Sequence, residues 1–172
     1  MTPGKSRQDA QIIEMPPQKM AVVQGKGTPD EVFTKLMPAL YGSVYTLKFD
    51  LKKKGMPTFK VGGLRSRYPD AHLAPRDKWT IITGLPVPDD TTSLPQKIPG
   101  TEVRLETWQY GTVAQILHLG SYDRECPTVE RLHRFIEEGG YEIAGVHEEE
   151  YLTSPDAKVI KTIIRYPVKR KD

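Results

Sequence analysis

Residues 19–55 read KMAVVQGKGTPDEVFTKLMPALYGSVYTLKFDLKKKG. A short apolar run closes on Gly25 and Gly27, the pattern of a strand that ends in a turn. Thr28-Pro29-Asp30-Glu31 follows, with threonine as N-cap, proline at the first helical position and glutamate at the third, a capping-box start. Phe33, Leu36, Leu40, Val44, Leu47 and Leu51 then recur at spacings of three and four, which is one helical face. The spacing predicts a helix from about Pro29 to about Lys54, stopped by Gly55-Met56-Pro57. Pro38 and Gly42-Ser43 are the places where it could kink. Lys52-Lys53-Lys54 reads as a basic last turn, which the helix dipole favours, in preference to a nucleic-acid patch.

Outward from this helix the chain repeats one plan. Strands are expected near Thr58–Arg65 and Lys78–Gly84, closing on Leu85-Pro86-Val87. Residues 88–100 are rich in proline, aspartate and threonine and read as a linker. Glu102–Tyr110 and Thr112–Leu119 read as strands around Gly111. A helix is expected from near Pro127 to Gly139-Gly140, with Val129, Leu132 and Ile136 as its apolar face, helped by Phe135. Strands near Tyr141–Leu152 and Lys158–Tyr166 follow, and Tyr166-Pro167-Val168 echoes Leu85-Pro86-Val87. Each half thus reads strand, glycine turn, helix, strand, strand. The expected class is α+β: two βαββ modules, about 19–87 and 102–168, in pseudo-twofold relation. The strands would form an antiparallel sheet with helices on one face and a ligand groove on the other. Residues 1–16 read as a flexible N-terminal segment, and 17–168 as a single domain.

The length of 172 residues, with 37% hydrophobic and 27% charged residues, suits one folded domain. No apolar run approaches the ~20 residues that span a bilayer, and the polar N-terminus has no signal-peptide core. A single cysteine, Cys126, excludes an internal disulfide and fits a reducing cytoplasm. The net charge of +3 lies partly in Lys169, Arg170 and Lys171 and forms no dense basic stripe, so direct nucleic-acid binding is not expected. No P-loop, GxGxxG, HExxH or Cys/His cluster is present. No cofactor or metal is expected, and the oligomeric state is not readable.

The most unusual stretch is EIAGVHEEEYLTSP, residues 142–155. Side chains of a strand alternate, so Glu149 shares a face with His147 and Tyr151, while Glu148 and Glu150 point the other way. At least one carboxylate must then look into a sheet interior or groove, where it takes a proton or awaits a cation. The alternative is an edge strand with both faces wet. His147 beside the glutamates is a weak metal signal. His118 ends a strand and Tyr122 follows a glycine turn. The chain carries eight tyrosines and two tryptophans against four phenylalanines. Trp79, Trp108, Tyr41, Tyr45 and Tyr68 could supply flat faces that, beside a carboxylate, suit a lipophilic cation.

HLGSYD at 118–123, GVHEEEYLTSPD at 145–156 and IIRYPV at 163–168 resemble the GyrI-like small-molecule-binding domain, and VVQGKGTPDEVFTKLMPALYGSVYTLKF resembles its stand-alone members. The resemblance covers roughly residues 17–168. It implies two βαββ (SHS2-like) modules and a groove for bulky, often cationic aromatic compounds, with Glu149 and Tyr151 at the family's acidic position. Ser154-Pro155 stands where the family usually has Asp-Pro. Some stand-alone members are similar to hydrolases that open the strained cyclopropane of DNA-alkylating natural products. By that likeness Glu149 would be the general base and Tyr151 or Tyr122 the proton donor. Ligand contacts would come from Glu149, Tyr151, His118, Trp79, Trp108, Tyr45, Tyr41 and Tyr68. Three other readings remain open. They are a protein-binding inhibitor of DNA gyrase, a haem-binding SOUL-like protein ligated by His118 or His147, and the ligand sensor of a transcription factor.

Overall fold

The computed structural model describes residues 9–172. In chain order the elements are β1 (Gln11–Met15), β2 (Gln18–Lys26), α1 (Pro29–Lys53), β3 (Leu64–Arg67), β4 (Thr80–Pro86), β5 (Arg104–Trp108), β6 (Gly111–Leu119), α2 (Cys126–Glu138), β7 (Tyr141–Ile143), β8 (Glu148–Tyr151) and β9 (Lys161–Arg170). The class is α+β, with antiparallel strands throughout the pairs described below. The described residues divide into two compact units, one over 17–109 and one over 9–16 with 110–172.

In the 17–109 unit the strand order is β3-β4-β2-β5. α1 starts as the capping box requires, with Thr28 Oγ1 accepting the Glu31 N–H at 3.3 Å and Pro29 inside the first turn. Its buried face carries Val32, Leu36, Ala39, Leu40 and Val44, packed with Ala21, Val23, Ile81 and Leu85 of β2 and β4. Each fully buried valine, leucine or isoleucine here contributes about 1.5–3 kcal/mol. β3 begins later than the sequence suggested. Gly62 and Gly63 precede it, and paired glycines give a strand no side chains to pack. β5, expected to open the second half, pairs instead with β2, Trp108 opposite Gln18.

In the other unit the order is β8-β9-β6-β1, and β7 also pairs with β9. α2 buries Leu132 and Ile136 with Ala114, Ile116 and Ile164. β1 lies within the segment read as flexible. Residues 11–15 form a strand on β6, Gln11 opposite Gln115, and residues 1–8 of that segment lie outside the described residues. Only five residues long and closed by Pro16-Pro17, β1 has too little alternation to stand out.

Both units share one plan. β2-α1-β3-β4 and β6-α2-β8-β9 are each βαββ, and the orders β3-β4-β2 and β8-β9-β6 correspond. The fourth strand of each unit, β5 or β1, comes from the segment that precedes the other unit's module in sequence. Among the described residues no helix is long and apolar enough to cross a membrane.

Candidate functional site

The long strand expected at 141–152 is broken in two. β7 meets β9 with Ile143 opposite Val168, and β8 meets it with Glu148 opposite Arg165, so two extra residues are looped out between them. Gly145 sits in this bulge. A Cβ there would lie 2.6 Å from Pro167 Cγ, so only glycine lets the chain pass. Because two residues are one strand period, the alternation survives the bulge.

The outcome is a sorting of the three glutamates. Glu148 and Glu150 both reach Arg165, whose Nη1 donates to Glu148 Oε2 at 2.8 Å and to Glu150 Oε1 at 3.0 Å. Tyr110 donates to the other Glu148 oxygen at 3.0 Å. Glu149 faces the opposite way, only 7% exposed. It accepts from the Tyr151 hydroxyl at 3.0 Å, and His147 Nε2 lies 3.5 Å away. His147 Nδ1 is 2.6 Å from the Tyr166 hydroxyl, and the His133 ring stands against Tyr166 at 5.1 Å. The Tyr122 ring meets Tyr151 edge-on at 5.6 Å.

The start of α2 completes the group. Gly120, at φ 117°, turns the chain after β6, a conformation that side chains rarely adopt. His118, 4% exposed, then locks that turn. Its Nε2 lies 2.9 Å from the Ser121 carbonyl and its Nδ1 2.7 Å from Thr128 Oγ1. A carbonyl only accepts, so Nε2 carries a proton toward Ser121. His118, expected among the ligand contacts, is thus spent inside the protein, and it places Tyr122 and Glu125.

Glu125 occupies the N-cap position of α2, yet its side chain makes no cap hydrogen bond. It turns instead toward Glu149 and His147, with ligand atoms of the three within 4.8 Å of one another. Burial first, then the Glu149 carboxyl, pushes the Glu125 carboxyl up to about 10. Burial also works upward on Glu149. Hydrogen bonds from His147, Glu125 and Tyr151 outweigh it and hold that carboxyl down at about 2. The helix dipole would favour an ionised Glu125 by about 0.3–1 kcal/mol. Two unit charges 4 Å apart near a protein surface repel by about 4 kcal/mol, so repulsion wins and the pair keeps one proton. Burial, then Glu149 and Glu125, pushes the Tyr166 hydroxyl up to about 12. The same causes raise Tyr122.

The other expected contacts lie in the 17–109 unit. Tyr68 and Trp79 pack edge-on at 5.9 Å, and Trp79 Nε1 donates to the Ala74 carbonyl at 3.0 Å. The Arg67 guanidinium covers the Trp108 ring at 3.9 Å. Tyr41 and Tyr45 stack along α1 at 6.3 Å, and Tyr45 is 41% exposed. The structure therefore brings together Glu149, Tyr151 and Tyr122, and it pairs Trp79 with Tyr68 and Tyr41 with Tyr45. Glu125 and Tyr166 were not singled out from the sequence. A glutamate before a helix reads as a cap, and a tyrosine in a closing strand reads as core.

Glu125, His147 and Glu149 each offer one ligand atom, all within 4.8 Å of one another, so these three could hold a small cation.

The sequence model of the GyrI-like small molecule binding domain matches residues 8–169. Among solved structures, an uncharacterized conserved protein from Listeria innocua is 27% identical over 94% of this chain and 93% of that one, with a TM-score of 0.82. A hydrolase from Listeria innocua is 26% identical over 96% and 94%, with a TM-score of 0.80. The C-terminal domain of EcmrR shares the fold at 17% identity, over 95% and 98%, with a TM-score of 0.69. No curated protein matches the chain. With nearly its whole length matched, the chain belongs to the GyrI-like family of small-molecule-binding domains.

Proposed function

We propose that the cluster around Glu149 binds aromatic or lipophilic, often cationic, small molecules, and that it hydrolyses those carrying a strained cyclopropane. One observation carries this reading. A buried carboxylate is held ionised by His147, Glu125 and Tyr151, with the Tyr122 and Tyr151 rings beside it. An ionised carboxylate next to aromatic faces attracts a lipophilic cation. The likeness to a Listeria structure named a hydrolase supports the catalytic half.

In the reaction, Glu149 takes a proton from water as its oxygen bonds to a cyclopropane carbon. The ring C–C bond breaks and its electron pair moves through conjugation to a carbonyl oxygen. A tyrosine hydroxyl donates to that oxygen. Tyr151 spends its hydroxyl on Glu149, so Tyr122, at 40% exposure, is the more accessible donor. Ring strain supplies much of the driving force, and the aromatic faces orient a flat substrate.

The test is a fluorescence titration with rhodamine 6G beside a hydrolysis assay on a cyclopropanoid substrate, for wild type and Glu149→Gln. Glu149→Gln should weaken dye binding and abolish hydrolysis while the fold survives. Equal binding and turnover in both proteins would overturn the role of Glu149.

A further inference from the structure

We infer that the Thr162 hydroxyl is the second polar contact of this site, and that it selects lipophilic cations whose nitrogen carries N–H groups, the primary and secondary ammonium ions, over cations that carry none. The inference rests on the reading of Glu149 as the anion that meets the ligand, and it narrows that reading to a ligand class. β9 runs between β6 and β8, so Thr162 stands opposite His118 on one side and opposite Tyr151 on the other. Cross-strand partners project to the same face, and so do residues two apart on one strand. Thr162 therefore shares the face of Tyr151 and Glu149. It is 0% exposed, and its Oγ1 has no hydrogen-bond partner among the described residues.

Its neighbours do not complete it. Tyr151 turns its hydroxyl to Glu149 at 3.0 Å, and His118 has its two ring nitrogens on Ser121 and Thr128. A buried hydroxyl left unpaired is a standing cost and asks for a reason. The fold itself supplies none. Ile81 of β4 lies as far before Pro86 as Thr162 of β9 lies before Pro167, in the two echoing Pro-Val endings. Ile81 is also 0% exposed, and it packs in the apolar core with Leu36 and Leu40 of α1. An aliphatic side chain thus serves this position in one βαββ module, and the other module keeps a hydroxyl there beside a carboxylate.

Glu149 lies opposite Ile164, so Glu149 and Thr162 are diagonal neighbours, a relation that spans about 7–8 Å between strands. A nitrogen seated between them donates one N–H to the Glu149 carboxylate and a second to Thr162 Oγ1, which keeps its own proton to donate. A quaternary ammonium meets Glu149 by charge alone and leaves the threonine oxygen unpaired. A site built for an N–H discriminates against the analogue without one. Burial points the same way. Glu149 is 7% exposed and Thr162 0%, whereas Tyr122 is 40% exposed. The small ammonium head then reaches the deep end of the site, and the aromatic body rests against Tyr122.

The test compares two cations with one aromatic body, naphthylmethylammonium and its N,N,N-trimethyl analogue. Both are titrated by calorimetry into wild type, Thr162→Val, Thr162→Ser and Glu149→Gln. Thr162→Val keeps the shape of the side chain and removes the hydroxyl. It should cost about tenfold in affinity for the N–H cation and less than about threefold for the trimethyl cation, so that the ratio of the two Kd values shifts. Thr162→Ser keeps a hydroxyl and should keep the wild-type ratio. Glu149→Gln should weaken both cations. Ligand-free Thr162→Val should melt at or above the wild-type temperature, since it sheds an unpaired hydroxyl. A lower melting temperature would show that the hydroxyl serves the fold and would overturn the inference. An unchanged ratio in Thr162→Val, with both cations still weakened by Glu149→Gln, would overturn the inference and leave the role of Glu149 standing. Wild type that binds rhodamine 6G and neither naphthyl cation would do the same. Wild type that binds none of the three, or Glu149→Gln that binds both cations as wild type does, would overturn the reading of the site and the inference with it.

Discussion

Arg165 Nη1 donates to Glu148 Oε2 at 2.8 Å, and both side chains are almost fully buried. This pair, joined by Glu150, gives two of the three consecutive glutamates a structural task and leaves Glu149 for the opposite face. Arg165→Met should therefore strand a buried carboxylate and cost about 3–5 kcal/mol. The double variant Arg165→Met, Glu148→Met should recover much of that loss, because an apolar pair replaces the ionic one. Urea unfolding of the three proteins measures both steps. Equal stability of wild type and Arg165→Met would show that the pair does not hold β8 to β9.

Gly145 offers a second handle, one of packing. Its missing Cβ would lie 2.6 Å from Pro167 Cγ. Gly145→Ala should push the bulge off β9, costing about 1–3 kcal/mol as an overpacked contact. The displaced bulge carries His147, so dye binding should weaken with stability. A thermal melt and a rhodamine 6G titration check both. A wild-type melting temperature would mean that the bulge yields freely.

The two helices were legible because their signals are local. Thr28-Pro29-Asp30-Glu31 spells its own cap, and Leu36, Leu40 and Val44 keep the helical period into the core. The parity of Glu148, Glu149 and Glu150 was legible too, since a strand has one alternation and a two-residue bulge preserves it. What stayed hidden depends on pairing across long sequence distances. β1 and β5 are short, and nothing in their residues says which strand they will join. Glu125 meets Glu149 only because His118 fixes the turn ahead of α2, a contact that no spacing encodes.

The shared proton also shapes stability against pH. Glu125, raised from 4.5 to about 10, holds a proton that the unfolded chain loses above about pH 4.5. Stability should therefore fall as pH rises from 5 toward 9, by at most about 1.4 kcal/mol per pH unit and by less because the side chain is only partly buried. Glu149 acts oppositely: lowered from 4.5 to about 2, it adds stability above pH 4.5 that is lost as pH falls toward 2. The two trends meet near pH 4.5. Glu125→Gln should flatten the alkaline side, making the variant the more stable protein at pH 9. Urea midpoints across this range decide the matter, and parallel curves for the two proteins would refute the assignment.

Two tyrosines near Glu149 should separate by readout. Tyr151 donates to Glu149 at 3.0 Å and helps to keep it ionised. Tyr151→Phe should raise the Glu149 carboxyl toward its ordinary value. A cationic dye needs that carboxyl ionised, so its affinity in Tyr151→Phe should decline as pH falls to about 4, where wild type still binds fully. Tyr122 makes no such bond to Glu149 and stands edge-on to Tyr151. Tyr122→Phe should keep the dye affinity and its pH dependence but lose about 10²–10³ in kcat, as removal of an oxyanion donor does. Dye titrations from pH 4 to 7 and turnover at neutral pH distinguish the two roles. If Tyr151→Phe lost the turnover and Tyr122→Phe did not, the donor would be Tyr151, released from Glu149 when substrate enters.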